Sequence, residues 1–129
     1  MTRSPRDLVA AADRLLTPPP GTMATLTPGL RARAAAALLR LALDEAMDDF
    51  WRSVSPRMVH SRGRTKALCL EYVSPSVARQ WYAVWSALSA ACHHHTYELP
   101  PTPAEVRAWH ADVTELLRSM PPTPAPSRP

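Results

Sequence analysis

The chain has 129 residues, a formal net charge of +4 and a pI near 9.7. This length predicts one domain with one core, and the charge permits contact with phosphate, although a solvated basic surface explains it equally simply. Glycine is rare, Ala and Leu are frequent, and no run alternates in the manner of a strand. The composition therefore predicts an all-α domain and disfavours β and α/β folds.

The first 26 residues are predicted to form a helix followed by a Pro-rich linker. Ser4 precedes Pro5, which is the typical order of an N-cap and the first helical position. The run Thr17-Pro18-Pro19-Pro20-Gly21 ends this helix, because residues before proline avoid the α region. We expect the helical bundle itself to occupy residues 27–120.

A long second helix is predicted from Thr27-Pro28 to about Ser53. Two apolar stripes run along it, and a helix that is apolar on two sides is buried on two sides. This helix is therefore expected at the centre of the bundle. The stripes are Leu30, Ala34, Ala37, Leu38 and Leu41, and Leu39, Leu43, Ala46, Met47, Phe50 and Val54.

Two acidic residues of the second helix, Asp44 and Asp48, continue the first stripe. Charges on helices are usually solvated, so we expect both carboxylates to be exposed or to pair with an arginine on a neighbouring helix. The alternative is that they lie at the rim of a polar functional site.

The segment 55–65 is basic and contains Pro56 and Gly63, so it is expected to begin as a loop. A short third helix is predicted over residues 66–73. A fourth helix is predicted from Ser76 to Leu99, ending before Pro100-Pro101. One face of it carries Val77, Trp81, Val84, Trp85, Leu88, Ala91, Cys92 and His95.

The fifth helix is predicted to begin at Thr102-Pro103-Ala104-Glu105, a capping box with proline at the first helical position. Its apolar stripe ends at Met120. The remaining segment, 121–129, is PPTPAPSRP, which has too few apolar side chains to pack and is predicted to be a disordered tail.

Cys69 and Cys92 both fall in apolar helical patterns, which is typical of free thiols in a reducing compartment. No apolar run approaches the ~18 residues of a membrane span, and no apolar segment follows the first three residues. We therefore expect a cytoplasmic protein without a membrane partner.

The run His93-His94-His95 invites a metal interpretation that helical geometry disfavours. Adjacent helical residues point about 100° apart, so three in a row do not converge on one ion. The chain contains neither a CxxC nor an HExxH pattern. We predict no metal and no other cofactor.

Residues 90–97 read Ala-Ala-Cys-His-His-His-Thr-Tyr. This stretch resembles HEPN domains, small α-helical proteins marked by an Arg, four to six residues, and a His that is often followed by x-Tyr. Residues 81–109 are especially similar to an actinobacterial branch with the run Ser-Arg-Ala-Cys-His-His-His. The resemblance implies a five-helix, HEPN-like bundle and extends over residues 30–120.

His95 and Tyr97 match that motif, but the position of the expected arginine holds Ala90, and residues 86–89 supply none. The chain is then an Arg→Ala variant that disarms a toxic protein, a natural non-catalytic member, or a protein to which the family does not apply.

Active HEPN domains resemble metal-independent ribonucleases, which implies attack of an RNA 2′-hydroxyl on the adjacent phosphodiester. By this resemblance His95 is the catalytic acid or base, position 90 holds the phosphate, and Tyr97 is accessible to a modifying antitoxin. Arg79, His94 and Arg107 are the candidate RNA-binding residues.

The resemblance also implies a homodimer. The aromatic residues of the fourth helix point the same way, because they are more than a one-sided helix needs for its own core and aromatic side chains are favoured at interfaces; they are Trp81, Tyr82, Trp85 and Tyr97. The sequence thus predicts a HEPN-type endoribonuclease, possible toxin of a toxin–antitoxin pair, inactive as written. Two alternatives stay open: a non-catalytic HEPN-like module that binds RNA or a protein partner, and an unrelated helical scaffold whose histidines cap a helix.

Overall fold

The computed structural model describes residues 4–21, 25–93 and 99–122, and within these ranges the chain is an all-α bundle of five helices without strands. The predicted fold class is confirmed. A 3-10 turn, Pro56–His60, follows the second helix. The helices are α1 Pro5–Leu16, α2 Pro28–Val54, α3 Gly63–Leu70, α4 Pro75–Cys92 and α5 Pro103–Ser119.

Local hydrogen bonds explain why three of the helices begin where they do. The Ser4 hydroxyl accepts from the third backbone N–H of α1, and the Thr27 hydroxyl does the same for α2, at 3.2 and 3.3 Å. Thr102 and Glu105 form the complete capping box of α5. Each cap satisfies a backbone donor that the helix itself leaves free, so these starts follow from the sequence.

Helix α2 lies at the centre, in contact with α1, α4, α5 and the 3-10 turn. Of the two apolar stripes predicted on α2, the one that begins at Leu39 is buried except at its last residue, Val54. The other stripe is not buried, since Leu30 and Leu41 are nearly half exposed. In place of that stripe, small residues of α2 lie in the core. Their small side chains let neighbouring helices approach closely. These residues are Ala32, Ala35, Ala36 and Ala42.

Trp81 joins α4 to α2. Its side chain is completely buried, and its indole N–H donates to the backbone carbonyl of Leu43 at 3.1 Å. The ring also stacks on Trp85 with 5.6 Å between ring centroids. A large ring with its one donor satisfied in the core sets the position of α4 along α2.

The third helix begins and ends three residues earlier than the predicted range of 66–73, at Gly63 and Leu70. Leu70 is fully buried and is followed by a turn in which the Ser74 N–H donates to the Leu70 carbonyl. Tyr72 is 94% exposed, so it does not extend the apolar face of the helix. The helix ends where burial ends, and propensity alone does not mark that residue.

None of the helices within the described ranges combines the length and the apolarity that crossing a membrane requires.

An ion pair between α2 and α3 gives the first testable prediction. Lys66 and Asp48 meet at 2.6 Å with side chains only 12% and 20% exposed, whereas Arg52 and Asp49 form a similar pair that is about half exposed. Lys66→Met leaves a largely buried carboxylate without its partner, so we expect a loss of about 1–3 kcal/mol in the free energy of unfolding.

The matched control is Arg52→Met, which breaks the exposed pair and is expected to change the free energy of unfolding by less than ~0.5 kcal/mol. Urea unfolding of both variants measures the difference. Equal losses in the two variants would contradict a special role for the pair between Lys66 and Asp48.

Candidate functional site

Helix α4 ends earlier than the sequence predicts. The predicted end was Leu99, but the helix ends at Cys92, and His93 has a non-helical backbone with φ −85° and ψ 91°. The partly buried Cys92 is followed by the exposed His93, so the burial seen on the described part of α4 ends together with the helix. His94, His95 and Tyr97 lie outside the described residues, and so does the expectation that His95 continues the α4 stripe.

Position 90 lies on the last turn of α4 beside an open cleft of about 390 Å³. Ala90 is exposed, and His93 lines the same cleft. The opposite wall comes from the start of α5, with Glu105 and Trp109. A longer side chain at position 90 therefore meets the cleft and solvent, and not the core.

The first turn of α5 closes one side of this cleft without offering a free anion site. The Glu105 carboxylate accepts from both the backbone N–H and the hydroxyl of Thr102, each at 3.1 Å. A backbone donor that would otherwise face a phosphate is thereby occupied by a carboxylate.

Arg107, a predicted RNA-binding residue, is engaged with α1. Its guanidinium forms an ion pair with Asp13 at 2.6 Å and donates to the Thr17 hydroxyl. This hydrogen bond is the main reason that the pKa of Asp13 lies below its ordinary value. Arg107 thus fastens α5 to α1, with one donor on Asp13 and one on Thr17.

Arg79 is not brought near position 90. It lies eleven residues before Ala90 on α4, or about 16 Å along the axis at 1.5 Å per residue. It lines a different groove, between α3 and α4. Arg79 and Arg107, the two arginines predicted to bind RNA, therefore lie in different parts of the bundle. Neither substitutes for an arginine at position 90.

The structure adds two basic residues that the sequence interpretation missed, Arg33 and Arg40 on α2. Both act electrostatically on Cys92 at the end of α4. Partial burial raises the pKa of the Cys92 thiol, and the charges of Arg40 and Arg33 lower it less strongly. Their spacing of seven residues places them on one face of α2, which is the signal that could have identified them.

Asp44 and Asp48 both have partners on neighbouring helices, although neither partner is an arginine. Asp48 binds Lys66 of α3, and Asp44 accepts a hydrogen bond from the Trp85 indole N–H at 2.9 Å. Arg40 lies over the Trp85 ring at 5.5 Å from its centroid. The acidic residues thus hold α3 and α4 on α2.

The environment of Asp44 predicts a pH effect. Burial raises the pKa of its carboxyl, while the hydrogen bond from Trp85 and the charge of Arg40 oppose that shift. A pKa that is raised on folding contributes stability at low pH, and this contribution is lost as the pH rises through the folded-state pKa.

We expect Asp44→Asn to remove this contribution while keeping an acceptor for Trp85. The stability of the variant relative to the original chain should therefore increase between about pH 3 and pH 7, as the carboxyl that it replaces ionises. Thermal unfolding at a series of pH values measures the difference. A relative stability that falls over this range would contradict the assignment.

Both cysteines are free thiols and are partly buried. No group of three or more His, Cys, Asp or Glu side chains within the described ranges is arranged to hold a metal ion.

The aromatic residues that suggested an interface are largely used within the chain itself. Trp81 is fully buried and Trp85 is half-buried, with its N–H bound to Asp44. Tyr82 stays 38% exposed. The aromatic argument for a homodimer therefore rests on Tyr82 and on Tyr97, which lies outside the described residues.

Comparisons of the chain with protein-family models, with curated proteins and with solved structures found no match. The resemblance to HEPN domains therefore stays a prediction that rests on residues 90–97.

Proposed function

We propose that this chain is a HEPN-type, endoribonuclease-like protein, the toxin partner of a toxin–antitoxin pair, and that it is inactive as written because position 90 holds alanine. The observation that carries the proposal is the placement of Ala90. It is exposed beside a cleft at the end of α4, and it precedes His95 by five positions in the sequence. An arginine side chain there would project into the cleft.

The proposed chemistry needs two groups. His95 moves a proton, since an imidazole titrates near neutrality and serves as acid or base. The 2′-oxygen of the RNA attacks the adjacent phosphorus and the bond to the 5′-oxygen breaks, leaving a cyclic phosphate. An arginine neutralises the charge that develops on the phosphate oxygens, because its planar fork matches their geometry. No metal or other cofactor enters this scheme.

The two arginines predicted to bind RNA do not supply the second group beside position 90. Arg107 is bound to Asp13 and Thr17, and Arg79 lies along α4 away from the cleft. Neither is free to hold a phosphate beside position 90. This supports the inactive state of the present sequence.

The proposal includes a homodimer in which the motifs of two copies face each other, an antitoxin that acts on Tyr97, and a cytoplasmic location. The two free thiols support a reducing compartment. The contacts of Trp81 and Trp85 within the chain weaken the aromatic argument for the dimer, so the resemblance carries that part of the proposal.

The experiment that tests the proposal is RNA cleavage by the Ala90→Arg variant in the presence of a chelator. Cleavage that depends on His95 supports the nuclease. A silent variant overturns it and leaves the second candidate, a non-catalytic module that binds RNA or a protein partner. The engagement of Arg107 with Asp13 and Thr17, and the position of Arg79 in another groove, favour that candidate.

A further inference from the structure

A groove between α3 and α4 lies away from the cleft at position 90. It has a volume of about 270 Å³, and its apolar lining includes the buried Ala67 and Ala78 and the exposed Ala83. Arg64, Arg79, Glu71, Leu68 and Tyr82 complete its lining. Arg79, one of the predicted RNA-binding residues, lies in this groove.

The Tyr82 ring is held in position by the tryptophans of α4. Its ring stacks on Trp85, with 6.1 Å between centroids and 26° between planes, and Trp85 stacks in turn on the buried Trp81. Arg40 covers the Trp85 ring as well. The Tyr82 ring is thus supported by a stack that reaches the core, yet it remains 38% exposed. Such a ring is preorganised to receive a flat partner.

Four features of the groove match one nucleotide of a single strand. An exposed aromatic ring stacks on a base, and arginine side chains bind the flanking phosphates. The volume is below the roughly 300–1,000 Å³ of pockets that enclose a whole small molecule, so it suits one base with its backbone outside. The Glu71 carboxylate accepts hydrogen bonds, and the amino groups of adenine, cytosine and guanine donate them.

We infer that the groove between α3 and α4 binds a nucleotide of single-stranded RNA, with its base stacked on Tyr82, its amino group towards Glu71 and its phosphates on Arg64 and Arg79. The choice of RNA as the strand rests on the proposed function. The groove would bind the strand away from residues 90–97. This second contact would form with alanine at position 90.

The composition of the groove disfavours two other occupants. An acidic peptide would bring its carboxylates towards Glu71, and like charges in a groove repel. A second copy of the chain would set two arginines and one glutamate against the same set, which leaves positive charge facing positive charge. A base with a phosphate on each side satisfies both the arginines and the glutamate.

The groove is tested by fluorescence anisotropy with labelled oligoadenylate of about eight nucleotides, at salt concentrations between about 50 and 200 mM. Tyr82→Leu removes the ring and keeps an apolar side chain, and we expect it to weaken binding about tenfold. Arg64→Ala and Arg79→Ala are expected to weaken binding several-fold and to lower the salt slope by about one each.

Two matched controls lie outside the groove. Tyr72→Leu removes a tyrosine that is 94% exposed, and Arg118→Ala removes an arginine of α5 whose side chain is 72% exposed. Both are expected to bind oligoadenylate within about twofold of the original chain. Thermal unfolding of every variant separates lost binding from lost structure, and the exposed arginines keep the test valid if Tyr82→Leu unfolds.

The base preference supplies an independent test. Oligoadenylate should bind more tightly than oligouridylate, because uracil has no amino group for Glu71, and Glu71→Gln should reduce this preference. The inference is overturned if oligoadenylate does not bind, if groove and control variants bind alike, or if an oligoglutamate peptide displaces the RNA. It is also overturned if light scattering shows that the groove variants lose only self-association.

An RNA-cleavage assay distinguishes failure of this inference from failure of the proposed function. If Ala90→Arg is silent while the groove variants alone lose oligoadenylate binding, the nuclease fails and the groove stands. If Ala90→Arg cleaves RNA and keeps its rate and its KM with Tyr82→Leu or Arg79→Ala added, the nuclease stands and the groove fails.

Discussion

The Ala90→Arg variant is expected to cleave RNA about 10²–10³ times faster than the chain as written, which is the usual effect of one preorganised donor on a developing charge. Phosphoryl chemistry depends mainly on positioning and on electrostatic stabilisation, so a proton-transferring histidine alone achieves little. Ala90 is exposed beside the cleft, and arginine is a good helix former, so this substitution is compatible with the fold.

A set of four proteins measures this effect: the chain as written, Ala90→Arg, and each of these with His95→Ala. They are assayed on total RNA with a chelator present. Cleavage only in the Ala90→Arg protein with His95 intact is the expected result. Cleavage that survives His95→Ala would show that another residue moves the proton, and loss of cleavage on adding the chelator would exclude the metal-independent scheme.

Arg107→Ala in the Ala90→Arg background tests whether the arginine on α5 contributes to cleavage. Because Arg107 is bound to Asp13 and Thr17, we expect it to support stability and to leave the cleavage rate nearly unchanged. A fall in rate as large as that from His95→Ala, without a fall in melting temperature, would place Arg107 in the catalytic site.

Trp81→Ala is expected to lower the free energy of unfolding by about 3–5 kcal/mol, the largest stability effect of any single substitution considered. Trp81 is fully buried, donates to the Leu43 carbonyl and stacks on Trp85. Its removal leaves a cavity between α2 and α4 and withdraws the support of the Tyr82 ring. At this chain length the loss corresponds to a melting temperature lowered by roughly 10–20 °C.

Two other substitutions calibrate this result. Trp81→Phe keeps most of the ring and loses the N–H, so a smaller decrease of about 1–2 kcal/mol is expected. Tyr72→Ala removes an aromatic residue that is 94% exposed, and its effect is expected within ~0.5 kcal/mol. If Trp81→Ala costs no more than Tyr72→Ala, the packing of α4 on α2 differs from that described.

The starts of α1, α2 and α5 and the fold class were predictable because their causes are local. Ser4, Thr27 and Thr102 each accept from a backbone N–H three residues later, so the pattern is visible within four residues of sequence. The Ala- and Leu-rich composition indicated the all-α class for the same reason, since helix propensity is a property of single residues. The functional assignment of position 90 comes from the short motif pattern and stays a prediction.

The ends of α3 and α4 and the partners of the charged residues were not predictable in this way. Helix α3 ends at Leu70 because burial stops there, and burial depends on distant residues. Helix α4 ends at Cys92, seven residues before the predicted Leu99. Arg107 binds Asp13 across 94 positions, and Trp85 binds Asp44 across 41. Equal charges and donors are available at many positions of the chain, so the packing of α1, α2, α4 and α5 selects which of them meet.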